Sequence, residues 1–565
     1  MRASKSSRAS RLAVSAAARA ASAGAVPTNP DEVRPATREE TFPIALAAVL
    51  LSFVALLLCF SRGYLLLYGD AVAHLGIARR ILDSRNPGLI QLGGVWLPLP
   101  HLLMLPFVQK LEWWQNGLAG SWVSLICYIA SVAGLYRLAR YQLMPRWALA
   151  ATIFYALNPN LLYLSTTAMT EPLFLALLIW STLLTVECVA AIRAARHAVV
   201  ARRLILLSVF ILAAVYTRYD GWILGATVWC VVTFTLARYR DVWRRVVPSF
   251  VFFTLLAIAG PISWLAYNQH FFHDPLDFIR GPYSASAIEK KTAAPGLEHY
   301  HGWHSPFWAF VYYSRTAQVD AAFWETGFLV MAAAIGGVVL AIRRRLALPA
   351  LLLWLPLPFY IYSVAYGSVP IFIPQLWPHS YYNSRYGMEM LPALALFAFL
   401  AVQWIEGKWS HSQPLAKRLM QPIALLLIAL NAVGMMYRTP LVLKEAMNNS
   451  TTRVGFESAL ARQLLAFPKG SSILMYNSEH VGALQYAGIP LRQTINEGDY
   501  DSFQAALAAP AEHAAYIVAI AGDPVSTAVV AHPDGLTELT ILCTTGQPCA
   551  RIYQSNRVAP AQPKS

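Results

Sequence analysis

The chain has 565 residues, of which 57% are apolar and only 13% are charged. A soluble globular protein carries about 25% charged residues, and half of that cannot cover a water-facing surface of this size. These values exclude a single soluble enzyme, a disordered regulator and a secreted disulfide scaffold, and they leave a polytopic membrane protein. The net charge of +15 comes from 44 Lys and Arg against 29 Asp and Glu, so the positions of the basic residues decide whether nucleic acid is a partner.

Apolar segments recur along most of the chain. A helix needs about 20 predominantly apolar residues to cross the hydrocarbon core of a membrane. Eleven segments meet this requirement and predict spans at 42–68, 118–137, 147–164, 172–192, 204–217, 222–237, 246–267, 325–342, 346–366, 387–405 and 421–437. The sequence therefore predicts a polytopic α-helical membrane protein.

The basic residues indicate how these spans are oriented. If the N-terminal tail, 1–41, is cytoplasmic, every short loop predicted to lie inside carries three or more Lys or Arg residues, as the positive-inside rule requires. The tail itself is rich in Ala, Ser and Arg, which is typical of a disordered basic segment or of an organelle transit peptide. Because the basic residues are divided among several short cytoplasmic segments and do not form one patch, we expect no nucleic-acid partner.

The composition changes after residue 440. Apolar runs at 473–476 and 516–519 predict buried strands, and helical patterns near 499–509 and 523–531 alternate with them. Strand-like segments follow near 536–543 and 550–554. This alternation predicts a small α/β domain over 441–565, outside the membrane because the number of predicted spans is odd. That compartment permits disulfides, so we expect a bridge between Cys543 and Cys549.

Asp70 stands where the first predicted span should emerge from the membrane. It is followed by an amphipathic stretch, 71–82, that carries His74, Arg79 and Arg80 on an otherwise apolar helix. Asp is a favoured N-cap residue, but acids at membrane depth are costly and mark functional sites. A carboxylate here can face both water and lipid headgroups, so Asp70 is the first candidate catalytic residue.

Glu171 follows the third predicted span, in the sequence Thr170-Glu171-Pro172. Thr170 as N-cap, with an acid and a proline in the first turn, would explain these residues by helix initiation alone. The predicted topology, however, places Glu171 on the same outside face as Asp70. Two acids at one interface indicate a shared functional site.

Two further outside segments place polar residues beside aromatic ones. The turn 216–222 contains Arg218 between tyrosines, which a simple interfacial anchor would also explain. The loop near 269–324 contains three histidines that could ligate a metal, but no matching Cys, Asp or Glu spacing accompanies them. The sequence thus predicts no metal site and favours recognition of a sugar or phosphate by this loop. The three residues are His299, His301 and His304.

Arg385 precedes the tenth predicted span directly and is followed by Tyr386. A long basic side chain beside the hydrocarbon can snorkel to the interface, which would account for its position without a functional role. The planar guanidinium also matches a phosphate group in a forked, two-bond geometry. Arg385 is therefore a candidate for binding a lipid phosphate.

The order of these motifs resembles the GT-C superfamily of integral-membrane glycosyltransferases, in particular its protein O-mannosyltransferase and lipid A aminoarabinose-transferase branch. The resemblance covers roughly 42–440 and depends on the order of short motifs on alternate sides of the membrane. Many relatives have two adjacent acids after the first span, whereas here Ala71 follows Asp70. The motifs are Gly69-Asp70 with its amphipathic helix, Thr170-Glu171-Pro172-Leu173-Phe174, Thr217-Arg218-Tyr219, and Ser384-Arg385-Tyr386 followed by Leu391-Pro392.

The resemblance implies a GT-C-like transmembrane catalytic domain over 42–440, with a soluble domain outside. It further implies transfer of a sugar from a polyprenyl-phosphate donor to an acceptor hydroxyl on a protein, a glycolipid or a wall glycan. Asp70 would be the general base, alone or with Glu171, and direct displacement would invert the anomeric carbon. The departing phosphate needs hydrogen-bonding or cationic groups. The candidates are Arg385 with Tyr386, then Arg218, His301, Arg79 and His74.

No motif requires a cofactor, although a divalent cation is compatible with this reaction. The expected partners are the lipid-linked donor, the acceptor and membrane lipids, and the expected location is a bacterial inner membrane with the N-terminus cytoplasmic. A transporter or lipid flippase is the competing class. Such proteins gather ionisable residues at the bilayer midplane between internal repeats, whereas here mid-span charges are few and the halves show no repeat. A non-catalytic scaffold would make Asp70 and Glu171 dispensable.

Overall fold

The computed structural model describes residues 33–292, 299–409 and 414–561. Most of the predicted N-terminal tail, 1–32, lies outside the described residues. The first helix, α1, spans Arg38–Ser61 and begins with a capping box, in which Thr37 and Glu40 each accept a hydrogen bond from the other residue's backbone N–H. The helix thus starts a few residues before the predicted apolar segment.

Ten helical segments among the described residues are long and apolar enough to cross a membrane, which makes the chain a multi-pass membrane protein. In the segment Ser384–Lys408, 83% of the apolar 18-residue stretch is buried inside the protein, against 22% in Arg38–Ser61. Ser384–Lys408 therefore lies at the centre of the bundle. The ten are Arg38–Ser61, Leu118–Ala139, Glu171–Arg193, His197–Val215, Asp220–Arg238, Arg240–Phe272, Thr326–Arg343, Leu348–Tyr366, Ser384–Lys408 and Arg418–Leu464.

The predicted count of eleven spans is not confirmed, and the difference lies in the third predicted span. There the chain forms two short helices, Pro145–Ala156 and Pro159–Leu164, in place of one. Pro159 cannot continue the preceding helix because it lacks a backbone N–H. Asn158 starts the second helix by accepting hydrogen bonds from the N–H groups of Asn160 and Leu161 at 3.0 and 3.2 Å.

The helices are numbered here in chain order, without the short 3₁₀ turns. After α1 come α2 (Gly69–Asp83), α3 (Leu99–Val108), α4 (Leu111–Asn116), α5 (Leu118–Ala139), α6 (Pro145–Ala156), α7 (Pro159–Leu164), α8 (Glu171–Arg193), α9 (His197–Val215), α10 (Asp220–Arg238) and α11 (Arg240–Phe272). Next come α12 (Asp277–Arg280), α13 (Ala285–Thr292), α14 (Pro306–Ala321), α15 (Thr326–Arg343), α16 (Leu348–Leu353), α17 (Pro356–Tyr366), α18 (Leu391–Trp409) and α19 (Pro414–Tyr437).

The C-terminal part contains a small sheet, as the sequence predicted. Three parallel strands and an antiparallel pair form a five-stranded sheet in the order β2-β1-β3-β5-β4. A disulfide joins Cys543 and Cys549 in the connection between the last two strands, as expected. The strands are β1 (Ile473–Met475), β2 (Thr494–Ile495), β3 (Tyr516–Ile520), β4 (Leu536–Leu542) and β5 (Ala550–Ser555), and the helices are α20 (Leu441–Leu464), α21 (Val481–Ala487), α22 (Asp501–Ala508), α23 (Pro510–His513) and α24 (Pro524–Ala531).

The C-terminal part packs on the helix that carries Asp70. Helix α21 contacts both α2 and α4. Arg453 of α20 donates to the Leu66 and Leu67 carbonyls at 3.0 Å each, in the turn that precedes α2. The start of α2 is thus held between the membrane bundle and the C-terminal part.

Candidate active site

Asp70 lies in the first turn of α2, just after the chain leaves the first membrane helix. Helix α1 ends at Ser61, Gly63 turns the chain at φ +70°, and a 3₁₀ turn at Tyr64–Leu66 leads into α2. Tyr68, not Asp70, occupies the N-cap position. The Asp70 carboxylate is therefore not engaged as a helix cap, and its side chain is 41% exposed.

Arg385 joins Asp70 to two buried acids from distant parts of the chain. Its guanidinium donates to Asp70 Oδ2 at 2.5 Å, to Glu171 Oε1 at 3.1 Å and to Glu445 Oε1 at 3.3 Å. Glu171 begins α8 and Glu445 lies in α20, and both side chains are 1% exposed. Asp70, Glu171 and Arg385 therefore meet in one place, as the sequence predicted.

Arg218 approaches the same Glu171 oxygen from the turn between α9 and α10. Its Nη1 donates to Glu171 Oε1 at 3.3 Å and to Thr170 Oγ1 at 2.8 Å. Its Nε lies 3.4 Å from Asp220 Oδ2 and 3.2 Å from Glu389 Oε1. Glu171 thus links the two arginines through a single oxygen atom.

We call this set the acid–arginine cluster: Asp70, Glu171, Arg218, Asp220, Arg385, Glu389 and Glu445. Two guanidinium groups cannot neutralise five ionised carboxylates, so this set has an excess of acidic groups. Asp70 is 41% exposed, whereas the other four carboxylate side chains are at most 4% exposed. Asp70 is therefore the cluster carboxylate that a ligand can reach.

Aromatic rings hold the two arginines in place. The Arg385 guanidinium carbon lies 5.2 Å from the Tyr68 ring centre and 4.9 Å from that of Tyr386. Tyr386 also faces Arg218, at 5.1 Å, and stacks on Tyr360, whose hydroxyl accepts a hydrogen bond from Arg218 at 2.6 Å. The quadrupole of each ring attracts a cation on its face, so the rings restrict both guanidinium groups without neutralising the acids.

His74 follows Asp70 by one helical turn and is buried against a second histidine. His74 Nδ1 lies 2.9 Å from His101 Nε2, and the His74 ring packs 4.3 Å from that of Trp96. Burial, and then the positive charges of Arg385 and Arg218, lower the pKa of His74 to about 3. His74 is thus a neutral side chain at the edge of the cluster.

Two of the predicted residues are not brought to the cluster. Arg79 is buried and donates to Asp83 Oδ2 at 2.9 Å and to the Val108 carbonyl at 2.6 Å, which ties α2 to the end of α3. His301 is exposed and stacks on Trp377 at 4.5 Å. Neither has a hydrogen bond to the cluster among the contacts of the described residues.

The described residues hold no group of three or more His, Cys, Asp or Glu side chains that could bind a metal ion. The three loop histidines have separate partners: His299 bonds to Glu289, His301 stacks on Trp377, and His304 packs against Tyr366. In the acid–arginine cluster, three of the carboxylates are held by Arg385 and do not converge on one point. The residues present do not form a preorganised site for the compatible divalent cation, and no chemical step is assigned to one.

Sequence reasoning missed Glu389, Glu445, Tyr360 and His101. Glu389 could have been found, because it is an acid inside an apolar run four residues after Arg385, and such acids mark functional sites. Glu445 stands in a polar helix sixty residues after Arg385, and nothing local distinguishes it. Its role follows only from the three-dimensional contact.

Comparison with known proteins shows a likeness of fold. No protein-family model and no curated protein matches the sequence. The crystal structure of ArnT from Cupriavidus metallidurans bound to undecaprenyl phosphate superposes with a TM-score of 0.55 at 13% identity, over 94% of this chain and 100% of that one. The apo structure of the same protein gives 0.54 at 14% identity, over 91% and 99%. The predicted GT-C-like fold is thereby confirmed: this chain has the fold of ArnT over nearly its whole length.

Proposed function

We propose that this protein is a membrane glycosyltransferase that moves a sugar from a polyprenyl-phosphate carrier to an acceptor hydroxyl. The observation that carries the proposal is the cluster itself, in which the accessible Asp70 carboxylate, just after the first membrane helix, lies 2.5 Å from a buried guanidinium. The fold shared with ArnT, whose crystal structure is bound to undecaprenyl phosphate, supports a lipid-phosphate ligand for this site. The acceptor would be a protein, a glycolipid or a wall glycan.

In this proposal Asp70 is the general base. It removes the proton from the acceptor hydroxyl while that oxygen forms a bond to the anomeric carbon of the donor. The bond from the anomeric carbon to the phosphate oxygen breaks at the same time, and the phosphate leaves with the electron pair. Displacement from the opposite face inverts the configuration of the sugar.

The cationic side of the site would receive the phosphate. Arg385, with Tyr386 beside it, and Arg218 present guanidinium groups that match phosphate oxygens in geometry and charge. Glu171 is buried and accepts from both, so its role in the proposal is to hold the two arginines and not to contact the acceptor. A donor phosphate that competes for Arg385 would release Asp70 from its ion pair and leave the carboxylate free to face the acceptor hydroxyl.

The test uses the purified full chain in lipid nanodiscs with a panel of undecaprenyl-phosphate sugars. Release of undecaprenyl phosphate is measured with Asp70→Asn, Asp70→Glu and the matched control Asp534→Asn, an exposed aspartate of the C-terminal domain. General-base catalysis typically raises the rate about 10²–10⁴-fold. We therefore expect Asp70→Asn to lower the rate of undecaprenyl phosphate release by at least about 10²-fold. Full activity of Asp70→Asn, or failure of every donor with the native chain, would refute the proposal.

A further inference from the structure

The C-terminal sheet has the strand order that creates a binding crevice in other α/β folds. The chain runs from β1 to β2 on one side and then crosses to β3 on the other side, and all three strands are parallel. Ligands of open parallel sheets bind outside the carboxyl ends of the strands, and the reversal in this sheet lies beside β1, between β1 and β3. Here β1 ends into Tyr476-Asn477, and β2 ends into Asn496-Glu497.

The membrane part of the chain closes on this edge of the sheet. The Tyr283 hydroxyl lies 3.2 Å from that of Tyr476, and Gln91 Nε2 donates to the Gly498 carbonyl at 2.8 Å. Three parts of the chain therefore meet here: α2 with the loop that follows it, the end of α11 with the turn between α12 and α13, and the carboxyl ends of β1 and β2. We call the set that they present the polar junction: Arg80, Tyr267, Tyr283, Tyr476, Glu497 and Tyr500.

The polar junction is accessible. Tyr283 is 43% exposed and Tyr500 is 39% exposed, while Arg80 and Glu497 are half-buried between them. Burial raises the pKa of Glu497, and the backbone N–H of Asn477 and the positive charge of Arg80 oppose that rise. Asp277 and Asp499 add negative charge around Arg80 and Glu497, so a phosphate or a nucleic acid is not attracted to this surface.

An unpartnered polar atom lies at the floor of the polar junction. Asn477 is 7% exposed, its backbone N–H donates to Glu497 Oε2 at 2.8 Å, and its Oδ1 has no hydrogen-bond partner among the described residues. A buried acceptor without a partner destabilises the folded chain. A hydroxyl donor from a ligand would remove that destabilisation.

We propose that the polar junction binds a saccharide portion of the acceptor. The tyrosine rings offer flat apolar faces for the C–H face of a sugar, and Glu497, Arg80 and Asn477 offer donors and acceptors for its hydroxyls. Arg80 follows Asp70 by ten residues on α2, which places it about 15 Å further along the helix. A glycan that contacts both the polar junction and Asp70 would have to span about this distance. That the bound saccharide belongs to the acceptor rests on the proposed function. Glycan binding itself does not depend on sugar transfer.

The experiment measures glycan binding to the full chain in detergent on a printed array of short neutral and acidic oligosaccharides. The best-binding array glycan is then titrated by calorimetry against the native protein, Tyr283→Ala, Tyr500→Ala and Glu497→Gln. Tyr437→Ala is the matched control, because Tyr437 is 87% exposed and lies outside the polar junction. We expect at least a tenfold rise in Kd for the three junction variants and no change for the control. Thermal unfolding shows whether each variant is folded. If a variant is not folded, Tyr283→Phe, which removes only one hydroxyl, is titrated in its place.

Asp70→Asn separates this inference from the proposed function. We expect this variant to bind the glycan with native affinity while it transfers sugar at least about 100-fold more slowly. Glycan binding that needs the polar junction, in a native protein that turns over no donor, would refute the proposed function and leave this inference standing. Absence of binding to every array glycan, or native affinity in all three junction variants, would overturn the inference.

Discussion

Arg385 is the residue on which the organisation of the candidate site depends. It lies 7% exposed and bonds to three carboxylates that belong to α2, α8 and α20. Burying a guanidinium away from water costs free energy. The attraction of several acids offsets that cost only while all of these acids are present. The cluster is therefore a cooperative unit, in which loss of the arginine leaves buried charges without compensation.

The first prediction concerns the stability that Arg385 provides. We expect Arg385→Ala to lower the free energy of unfolding by about 3–5 kcal/mol, the cost of breaking a buried ion pair. Adding Glu445→Gln should recover part of that loss, because it removes one of the uncompensated acids. Denaturant unfolding of the detergent-solubilised protein measures both. Arg551→Ala, which breaks an exposed pair with Glu538, is the control and should cost under about 1 kcal/mol. Additive losses in the double variant would contradict a cooperative cluster.

The second prediction concerns the pH dependence that His74 contributes. Because its pKa is about 3 in the folded chain, against about 6.5 when unfolded, the unfolded state binds one more proton between these values. The stability from His74 is thus present above pH 6.5 and is lost as the pH falls towards 3, at about 1.4 kcal/mol per pH unit. Between pH 7 and 5, the free energy of unfolding should change less steeply with pH in His74→Gln than in the native chain. Equal slopes would mean that the imidazole is not held neutral.

At the scale of elements, long apolar runs were predictable and polar helices were not. The predicted span 172–192 corresponds to Glu171–Arg193, because a run of that length has one stable conformation in a membrane. The predicted fifth span, 204–217, is longer in the structure, at His197–Val215, since its first turns carry arginines that the apolar pattern excludes. Helix α20 was not predicted at all, because its sequence has no apolar run and its helical form depends on packing.

The candidate site was predictable where a charged residue ends an apolar run. Asp70, Glu171, Arg218 and Arg385 each stand at such a place, and the four meet in the structure. Arg79 also fitted the pattern, but its neighbours Asp83 and Val108 take up its hydrogen bonds. Which charges point into the cluster depends on helix rotation, and that rotation follows from packing and not from local sequence.

The third prediction concerns the break between α6 and α7. Asn160 of α7 joins two distant helices there: its amide donates to the Asp320 carbonyl at 3.1 Å and accepts from the Val442 N–H at 3.0 Å. We expect Asn160→Ala to lower the free energy of unfolding by about 1–3 kcal/mol, because it leaves a buried backbone donor unpaired. Asn449→Ala removes an exposed asparagine of α20 and should change stability by less than about 0.5 kcal/mol. Equal stability of the two variants would show that the break does not need this bridge.

At the scale of the whole molecule, the C-terminal part and the membrane part meet on α2. Arg492 pairs with Asp83 at 2.8 Å near the end of that helix, and Gln485 Nε2 donates to the Trp114 carbonyl at 2.5 Å. In the middle of α2, Gly76 packs against Val481 of α21. Since α2 also carries Asp70, the position of the candidate base depends on how the C-terminal part is seated.

The fourth prediction tests that dependence with a pair of substitutions at one position. A Cβ at Gly76 would lie 3.4 Å from Val481 Cγ2, an ordinary contact, so Gly76→Ala should keep activity and gain helix propensity. Gly76→Leu overfills the contact and should cost about 1–3 kcal/mol while it displaces α21 from α2.

We therefore expect Gly76→Leu to release undecaprenyl phosphate more slowly than the native chain and to expose the C-terminal part to limited proteolysis. Gly455→Leu is the matched control, because the Cβ position of that α20 glycine faces open space. A Gly76→Leu protein with native turnover and native protease resistance would mean that the C-terminal part does not set the position of Asp70. The polar junction would then be the remaining proposed link between that part and the acceptor, and its glycan titration would decide whether the two parts act on one substrate.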